Sequence, residues 1–377
     1  MHIVHILKGK ANPETLNGVN KIVHWMATGE QSLGHDVEVW GITATVNRPR
    51  TDAHNYKLRL FSASPFLAAI TSELKQAIAA LDRNTWVHFH SAFIFEYPTI
   101  VSALRRKGLL YGITPHGCYS PGVLKKNRWR KRLYLALRER RFAAGASWAQ
   151  ATGRGEIEDI LAIAPHLRVE LIPNGQERDL LAGVEVPLIA AAHPVIGYCG
   201  RFAMKHKGLD YLLQGFSTYK SKGGNGELWL VGDGDDRAKV ERMAADGGVQ
   251  SDIKFFGAMS GAEKLKVIAN FDVFIHSSRW EGLPMACLEA AALGKPLLVS
   301  RETNLAGYVE DYQAGLVLDE TSAAGVERAL DRVQQLYANR QIPQLSENAR
   351  SLCEKEFSWE ENAKCFTAVA RTSLSAA

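Results

Sequence analysis

Cysteine is scarce in this chain. The five residues, at positions 118, 199, 287, 353 and 365, are odd in number, widely spaced and form no C-x-x-C pair. That excludes a disulfide framework and a zinc knuckle as organising devices, and it suits a reducing cytoplasm. No run of eighteen apolar residues occurs, so no membrane-spanning helix is expected. The opening MHIVHILKGK has no separate apolar stretch with a small-residue cleavage site, which disfavours secretion. A P-loop is also missing, and Gly232-x-Gly234 lacks the third glycine of a dinucleotide fingerprint.

Charge of one sign is in short supply except at one place. The net charge is +5, yet KKNRWRKRLYLALRERR, residues 125–141, alone carries nine basic residues and one acid, leaving the rest of the chain net acidic. Nucleic-acid binding needs a basic groove broader than one helix, so that reading is not favoured. The segment sets Trp129, Leu133 and Leu137 near one helical face beside Arg and Lys. That pattern suits an anionic membrane surface and equally a solvated basic face around a packed apolar stripe.

At 377 residues, two domains are the default expectation. Strand-like and helix-like segments alternate along the chain, which predicts parallel α/β sheets. Strands are expected at 2–7, 37–43, 86–90 and within YGITPHG, AQAT and VELIPNG. Helices are expected at 18–33, 65–81, 97–107 and 155–163, and residues 44–64 read as loop. A second alternation begins at VIGYCG and passes through ELWLVG, DIKFFG, DVFIHS, LLVS and GLVL. Ser260-x-x-Glu263 and Ser358-x-x-Glu361 are capping boxes opening helices. The fold class is α/β, two facing doubly wound, Rossmann-like domains. The first spans 1–180, a linker 181–194, the second 195–356, and a last helix 357–377.

The most informative stretch is HSSRWEGLPMACLEAAALGKP, residues 276–296, a strand end, a tight turn and a helix. Gly282 lets backbone come close to a ligand, and Pro284 sits near the first helical position, where its missing N–H costs nothing. The helix start, with Leu283 and Met285, aims unpaired N–H groups at an anion. Glu281 in the turn and Glu289 in the helix are acceptor-only carboxylates, suited to two sets of sugar hydroxyls flanking a phosphate. Taken alone, they serve equally well as a helix-start charge and a solvated helix residue.

The segment EGLPMACLEAAALGKP closely resembles the paired-glutamate motif of the family-four retaining nucleotide-sugar glycosyltransferases, the glycogen-synthase-like group of GT-B architecture. The resemblance implies that Glu281 contacts the transferred sugar and Glu289 the nucleotide ribose. GRFAMKHKGLDYLLQGF, residues 200–216, resembles the same family's diphosphate-binding segment. This places Arg201 and Lys207 on the diphosphate, with Lys205 a third candidate. It also implies a donor base packed near Phe256 and Gly257 after DIKFFG, donor contact at Gly18 in the first βα loop, and a last helix crossing back onto the first domain. His116-Gly117 resembles the loop that approaches the donor sugar, where a neutral imidazole would bind a sugar hydroxyl or a phosphate. Asn174-Gly175 resembles the hinge motif and also reads as a plain turn. The first βα loop has Asn17-Gly18 where a glycine pair is common in the family.

His88 and His90 share one strand face, but two histidines without a third ligand do not make a metal site, and half-buried strand histidines are commoner. Asp233-Gly234-Asp235-Asp236 reads as turn and helix-cap chemistry. No metal and no cofactor is therefore expected. The expected partners are a nucleotide-sugar donor, with UDP-glucose favoured, and a saccharide or lipid-linked saccharide acceptor, with possible contact to an anionic membrane through 125–141. The competing readings are a phosphorylase of similar architecture and a non-catalytic two-domain sugar-binding protein.

Overall fold

A computed structural model describes residues 1–12, 18–46, 54–64, 66, 68–125, 128–176, 180–182 and 184–376. Asn17, Pro65 and Lys126 lie outside the described residues. The chain divides into two compact units, Met1–Gly175 with Trp359–Ala377, and Gln176–Ser358. The division falls at Gly175/Gln176, ahead of the stretch expected to be a linker.

The first unit is built on β1 (His2–Lys8), β2 (Asp36–Thr43), β3 (Lys57–Ser62), β4 (Thr85–His90), β5 (Tyr111–Thr114), β6 (Trp148–Ala151) and β7 (Val169–Leu171), in the order β3-β2-β1-β4-β5-β6-β7. All pairings are parallel, with Ile3 opposite both Val37 and Trp86. Strands buried on both faces, such as IVHIL and WVHFH, form the centre. The helix Trp359–Ser375 packs on the helix Gly18–Ser32. Its Phe366 and Ala370 are buried with Ile3, Leu7, Trp86 and Trp148.

The second unit has β8 (Val195–Cys199), β9 (Glu227–Val231), β10 (Ile253–Gly257), β11 (Val273–His276), β12 (Leu297–Val299) and β13 (Gly315–Val317), ordered β10-β9-β8-β11-β12-β13 and again parallel. In both sheets the order reverses direction beside the first strand. In doubly wound sheets, ligands bind outside the carboxyl ends of the strands at that switch point. For the second unit it lies between β8 and β11.

Three expectations need correction. Residues 44–64 are not all loop, because β3 pairs with β2. The charges that hid it are satisfied locally: Lys57 Nζ lies 2.6 Å from Glu38 Oε1, and the Arg59 guanidinium sits 5.2 Å from the Trp40 ring centre. The helix expected at 65–81 is the shorter Ser72–Ala80, set by Thr71, whose hydroxyl accepts from the Leu74 amide. The basic stretch is helical as expected among the described residues: after Pro121–Lys125 the chain is continuously helical from Arg128 to Ala144, with a π-helical turn, Leu135–Glu139, inside it. Glu139, at the end of that wide turn, is buried, while Trp129 and Leu133 ahead of the turn and Leu137 within it stay 68%, 55% and 57% exposed. Ser260 occupies its N-cap position in extended backbone, but its hydroxyl makes no capping bond.

Candidate functional site

Two turns meet at the switch point of the second unit. From β8 the chain passes Gly200 and an exposed Arg201 into the short helix Met204–Lys207 and then Gly208. From β11 it passes Ser277 and Ser278 into the turn at Glu281. Gly208 has φ +62°, and a Cβ there would lie 1.9 Å from the Ser277 carbonyl oxygen, so only glycine allows this approach. Ser277 Oγ donates to the Gly208 carbonyl at 3.1 Å. Arg279 grips Asp210 with both guanidinium nitrogens, at 2.7 and 2.8 Å, and stacks 3.6 Å from the centre of the Tyr211 ring. The fork geometry fixes one loop against the other.

Within this frame Lys207 Nζ is hydrogen-bonded to Glu281 Oε2. His276 Nε2 and Ser278 Oγ approach the same oxygen at 3.3 Å each, and His206 Nε2 lies 3.8 Å away. Burial works to raise the Glu281 carboxyl. The Lys207 ammonium and the hydrogen bond from His276 outweigh it and hold the group well below the usual carboxylate range. Burial, in turn, keeps His276 below its ordinary value and pushes His206, stacked on Trp280, down to about 4. The result is a fixed anion with a largely enclosed cation at its side.

Gly282 and the buried Leu283 continue the turn. Pro284 is the N-cap of the helix Met285–Ala292 and its carbonyl accepts from the Cys287 amide at 3.0 Å; the amides ahead of Cys287 stand at the helix start, where no i−4 carbonyl is available. Glu289 does not face Glu281 directly; it pairs with Lys264, a largely buried lysine of the helix Gly261–Ile268. Phe256 and Gly257 end β10, two strands away from β8, with Gly257 O accepting from the Gly232 amide at 2.7 Å. The acids of 233–236 serve the local turn: Asp236 accepts from the Met204 amide and from Lys239, and Asp233 from the Gly234 amide. Asp236 stands at an N-cap without a capping side-chain bond. Among the described residues no group of three or more His, Cys, Asp or Glu is placed to hold a metal ion.

The first unit carries His116 and Gly18. Gly18 begins the helix Gly18–Ser32, and a Cβ there would meet nothing within 4 Å. His116 follows β5 with φ +53°, a conformation that costs a non-glycine residue energy and tends to persist where function requires it. Burial pushes its imidazole down to about 3. The turn is clamped by Glu156, which accepts from the Gly117 amide and, at 2.8 Å each, from the Thr152 amide and hydroxyl. His88 and His90 are not half-buried strand residues; both are fully enclosed and hydrogen-bonded, His88 to Thr114 and His90 to His5 and His116.

Residues 185–352 match the family model described as glycosyl transferases group 1, and residues 17–175 the model for a glycosyl transferase 4-like domain. The chain belongs to the family-four GT-B glycosyltransferases. It is similar to a lipopolysaccharide core biosynthesis glycosyltransferase, LpsE of Rhizobium meliloti strain 1021, at 31% identity over 37% of this chain and 39% of that protein. It thus aligns with well under two thirds of that relative's length. Its fold matches sucrose-phosphate synthase from Thermosynechococcus elongatus with a TM-score of 0.76 at 18% identity, covering 100% of both chains. It also matches Anabaena Alr3699/HepE in complex with UDP and glucose, with a TM-score of 0.73 at 14% identity over 98% of this chain and 99% of that one.

Several site residues of this family-four chain were not found by reading its sequence. Lys264 hides in an ordinary amphipathic helix, and only the fold brings it to Glu289. His276 reads as the last residue of a strand, and its contact with Glu281 depends on how the intervening turn closes. Asp210 and Arg279 are distant in sequence, so nothing local signals their pairing.

Proposed function

We propose that this protein transfers a hexose, with retention, from a nucleotide diphosphate sugar to a saccharide or lipid-linked saccharide acceptor in surface-polysaccharide synthesis, with UDP-glucose the donor. The observation that carries this reading is the Lys207–Glu281 pair beside Arg201 at the switch point of the second sheet. Breaking a sugar–phosphate bond builds positive charge on the sugar ring and negative charge on the diphosphate. Arg201, Lys207 and the first amides of the helix Met285–Ala292 stabilise the second of these charges, with Lys205 exposed at the rim as a further cation. Glu281 and Glu289 accept from sugar and ribose hydroxyls, and Phe256 and Gly257 border the base. His116 offers its imidazole to a sugar hydroxyl or a phosphate oxygen. Retention follows from attack on the leaving-group face, a donor phosphate oxygen taking the acceptor proton.

The UDP complex of a structural neighbour and the lipopolysaccharide role of a relative support the donor and the pathway class. No acidic side chain in FFGAMSGAE beyond Glu263 is available to a guanine edge, and Glu263 is engaged by Lys266 at 2.8 Å. A nucleotide at a hundred times its Kd stabilises the native state by about 2.7 kcal/mol, a shift of several degrees in Tm. UDP, GDP and ADP at equal concentration should therefore separate, with UDP shifting most. A shift with GDP and none with UDP would move the donor to a guanosine diphosphate sugar, and turnover with orthophosphate as acceptor would replace transfer by phosphorolysis.

The acceptor reading includes the membrane. Phe95, Trp129, Leu133 and Leu137 line an exposed groove of about 310 Å³ with Arg130 and Arg138 at its sides, an apolar face rimmed by cations that suits anionic lipid. No helix among the described residues is long and apolar enough to cross a bilayer. Sedimentation with anionic liposomes at low salt should be lost on neutralising Lys125, Lys126, Arg128 and Arg130. Equal binding by wild type and variant would remove this part of the reading.

A further inference from the structure

The first unit encloses a line of side chains that the donor site does not explain. Glu30 Oε2 lies 2.6 Å from His5 Nε2, His5 Nδ1 lies 2.9 Å from His90 Nε2, and His90 Nδ1 lies 3.0 Å from His116 Nε2. Glu30, His5 and His90 are fully buried, and of the three imidazoles His116 alone is not. Phe366 closes over the chain, 5.7 Å from the His5 ring. His116 Nδ1, at the end of the line away from Glu30, has no hydrogen-bond partner among the described residues. Buried polar atoms without partners are few in native proteins and call for an explanation.

A neutral imidazole has one N–H and one lone pair, so the bonding sense of one ring dictates that of the next. With Glu30 as a carboxylate and three neutral rings, His5 Nε2–H donates to Glu30. His90 Nε2–H then donates to His5, His116 Nε2–H donates to His90, and His116 Nδ1 is left as a lone pair. One added proton at the Glu30–His5 pair reverses every step. His5 as an imidazolium keeps its bond to Glu30 and donates from Nδ1 to His90 Nε2. The His90 proton then sits on Nδ1 and is donated to His116 Nε2, and the His116 proton sits on Nδ1. The second state differs from the first by that single proton and no other atom.

We propose that Glu30, His5 and His90 are positioning residues that decide, through this one hydrogen-bonded chain, whether His116 offers a substrate oxygen a lone pair or a proton. At the lower proton count His116 reads a hydroxyl, and at the higher one a phosphate oxygen. This deepens the proposed role of His116 and rests on it. Neighbouring titratable groups are few. His88 faces His5 and His90 edge-on or tilted, at 6.1 and 5.2 Å between ring centres, and its Nε2 bonds Thr114. Thr114 in turn donates to Gln150, whose amide donates to the Ile172 carbonyl, so His88 is held outside the relay. On the far side Glu30 is felt by His35, which also senses the N-terminal ammonium and Arg371.

The test is two-bond ¹H–¹⁵N correlation spectroscopy of histidine-labelled full-length protein, with His5, His90 and His116 assigned by single replacements. It reads which ring nitrogen carries the proton. The expected result is that His5, when neutral, shares the sense of His90 and His116 at Nε2–H. Proton uptake by His5 should then switch both outer rings to Nδ1–H with a common midpoint. Glu30→Gln removes the counter-charge of the His5 cation and should lower that midpoint. Opposite senses on neutral His5 and His116, a His116 tautomer indifferent to the state of His5, or an unmoved midpoint in Glu30→Gln would each overturn the relay. Should Glu30→Gln not fold, the agreement of the three wild-type rings decides alone. UDP-glucose turnover in His116→Ala is the separate control: normal kcat and KM there would count against the sugar contact, while the spectra still judge the relay.

Discussion

Replacing Lys207 with alanine isolates the interaction on which the proposed donor site depends. Glu281 is mostly enclosed, with 16% of its side chain exposed, and Lys207 is its nearest cation. Breaking a buried pair by removing one partner costs about 3 kcal/mol or more, because an uncompensated charge stays behind. For a unit of this size that is a fall in Tm of about 6–12 °C. The pH dependence makes the assignment specific. The folded-state pKa of Glu281 is depressed, so its contribution is present above the ordinary carboxylate value and is lost as pH falls through the depressed one. The stability difference between wild type and Lys207→Ala should therefore be largest at neutral pH and shrink in acid, where the orphaned carboxyl can protonate. Adding Glu281→Gln to Lys207→Ala should recover part of the loss, measured as a coupling energy in a double-mutant cycle of thermal unfolding. Turnover should fall roughly a hundredfold in Lys207→Ala, as expected for a lost transition-state charge partner. Near-normal turnover, or a stability loss independent of pH and of Glu281, would refute this reasoning.

Gly208→Ala places a Cβ 1.9 Å from the Ser277 carbonyl at φ +62°. It should lower stability by about 2 kcal/mol or more and raise the donor KM, read by thermal unfolding and steady-state kinetics. Burial raises the Glu139 carboxyl to about 7, against hydrogen bonds from Tyr119 and the Phe93 amide. Its proton is thus bound more tightly in the folded state, and stability should decline by about 3 kcal/mol as pH rises from about 4.5 to 7. Urea titrations should show that slope weakened in Glu139→Gln. Because Arg201 and Lys207 are taken to neutralise the diphosphate, turnover should persist in EDTA; loss restored by Mg²⁺ or Mn²⁺ would reassign that work to a metal.

What sequence reading caught and missed follows from the range of the interactions concerned. The alternation of apolar runs with helix-like segments is local, so both sheets and most of their strands were legible. The strand β3 was not, because its outward Lys57 and Arg59 look like loop until Glu38 and Trp40 of the neighbouring strand are seen to satisfy them. The turn 281–285 was legible because backbone chemistry, proline after a glycine at a helix start, is written in consecutive residues. Its electrostatics were not: that Glu281 meets Lys207 while Glu289 meets Lys264 depends on which strands lie side by side. The basic stretch was legible as a helix, but not the π-helical turn within it, where Glu139 is buried against the Tyr119 hydroxyl and the Phe93 amide, far outside the local window. The histidine chain, drawn from positions 5, 30, 90 and 116, has no local signature at all.

The return of the chain to the first unit at Trp359 has a consequence for how the molecule is made. During synthesis the ribosome must pass through the whole of Gln176–Ser358 before Phe366 and Ala370 exist. Until then Ile3, Leu7, Trp86 and Trp148 lack part of the surface that covers them, although the second unit is already complete. The usual N-terminus-first order of domain maturation is thereby inverted. The growing polypeptide carries a finished second unit and an open, tryptophan-lined first unit that aggregation or a chaperone can reach.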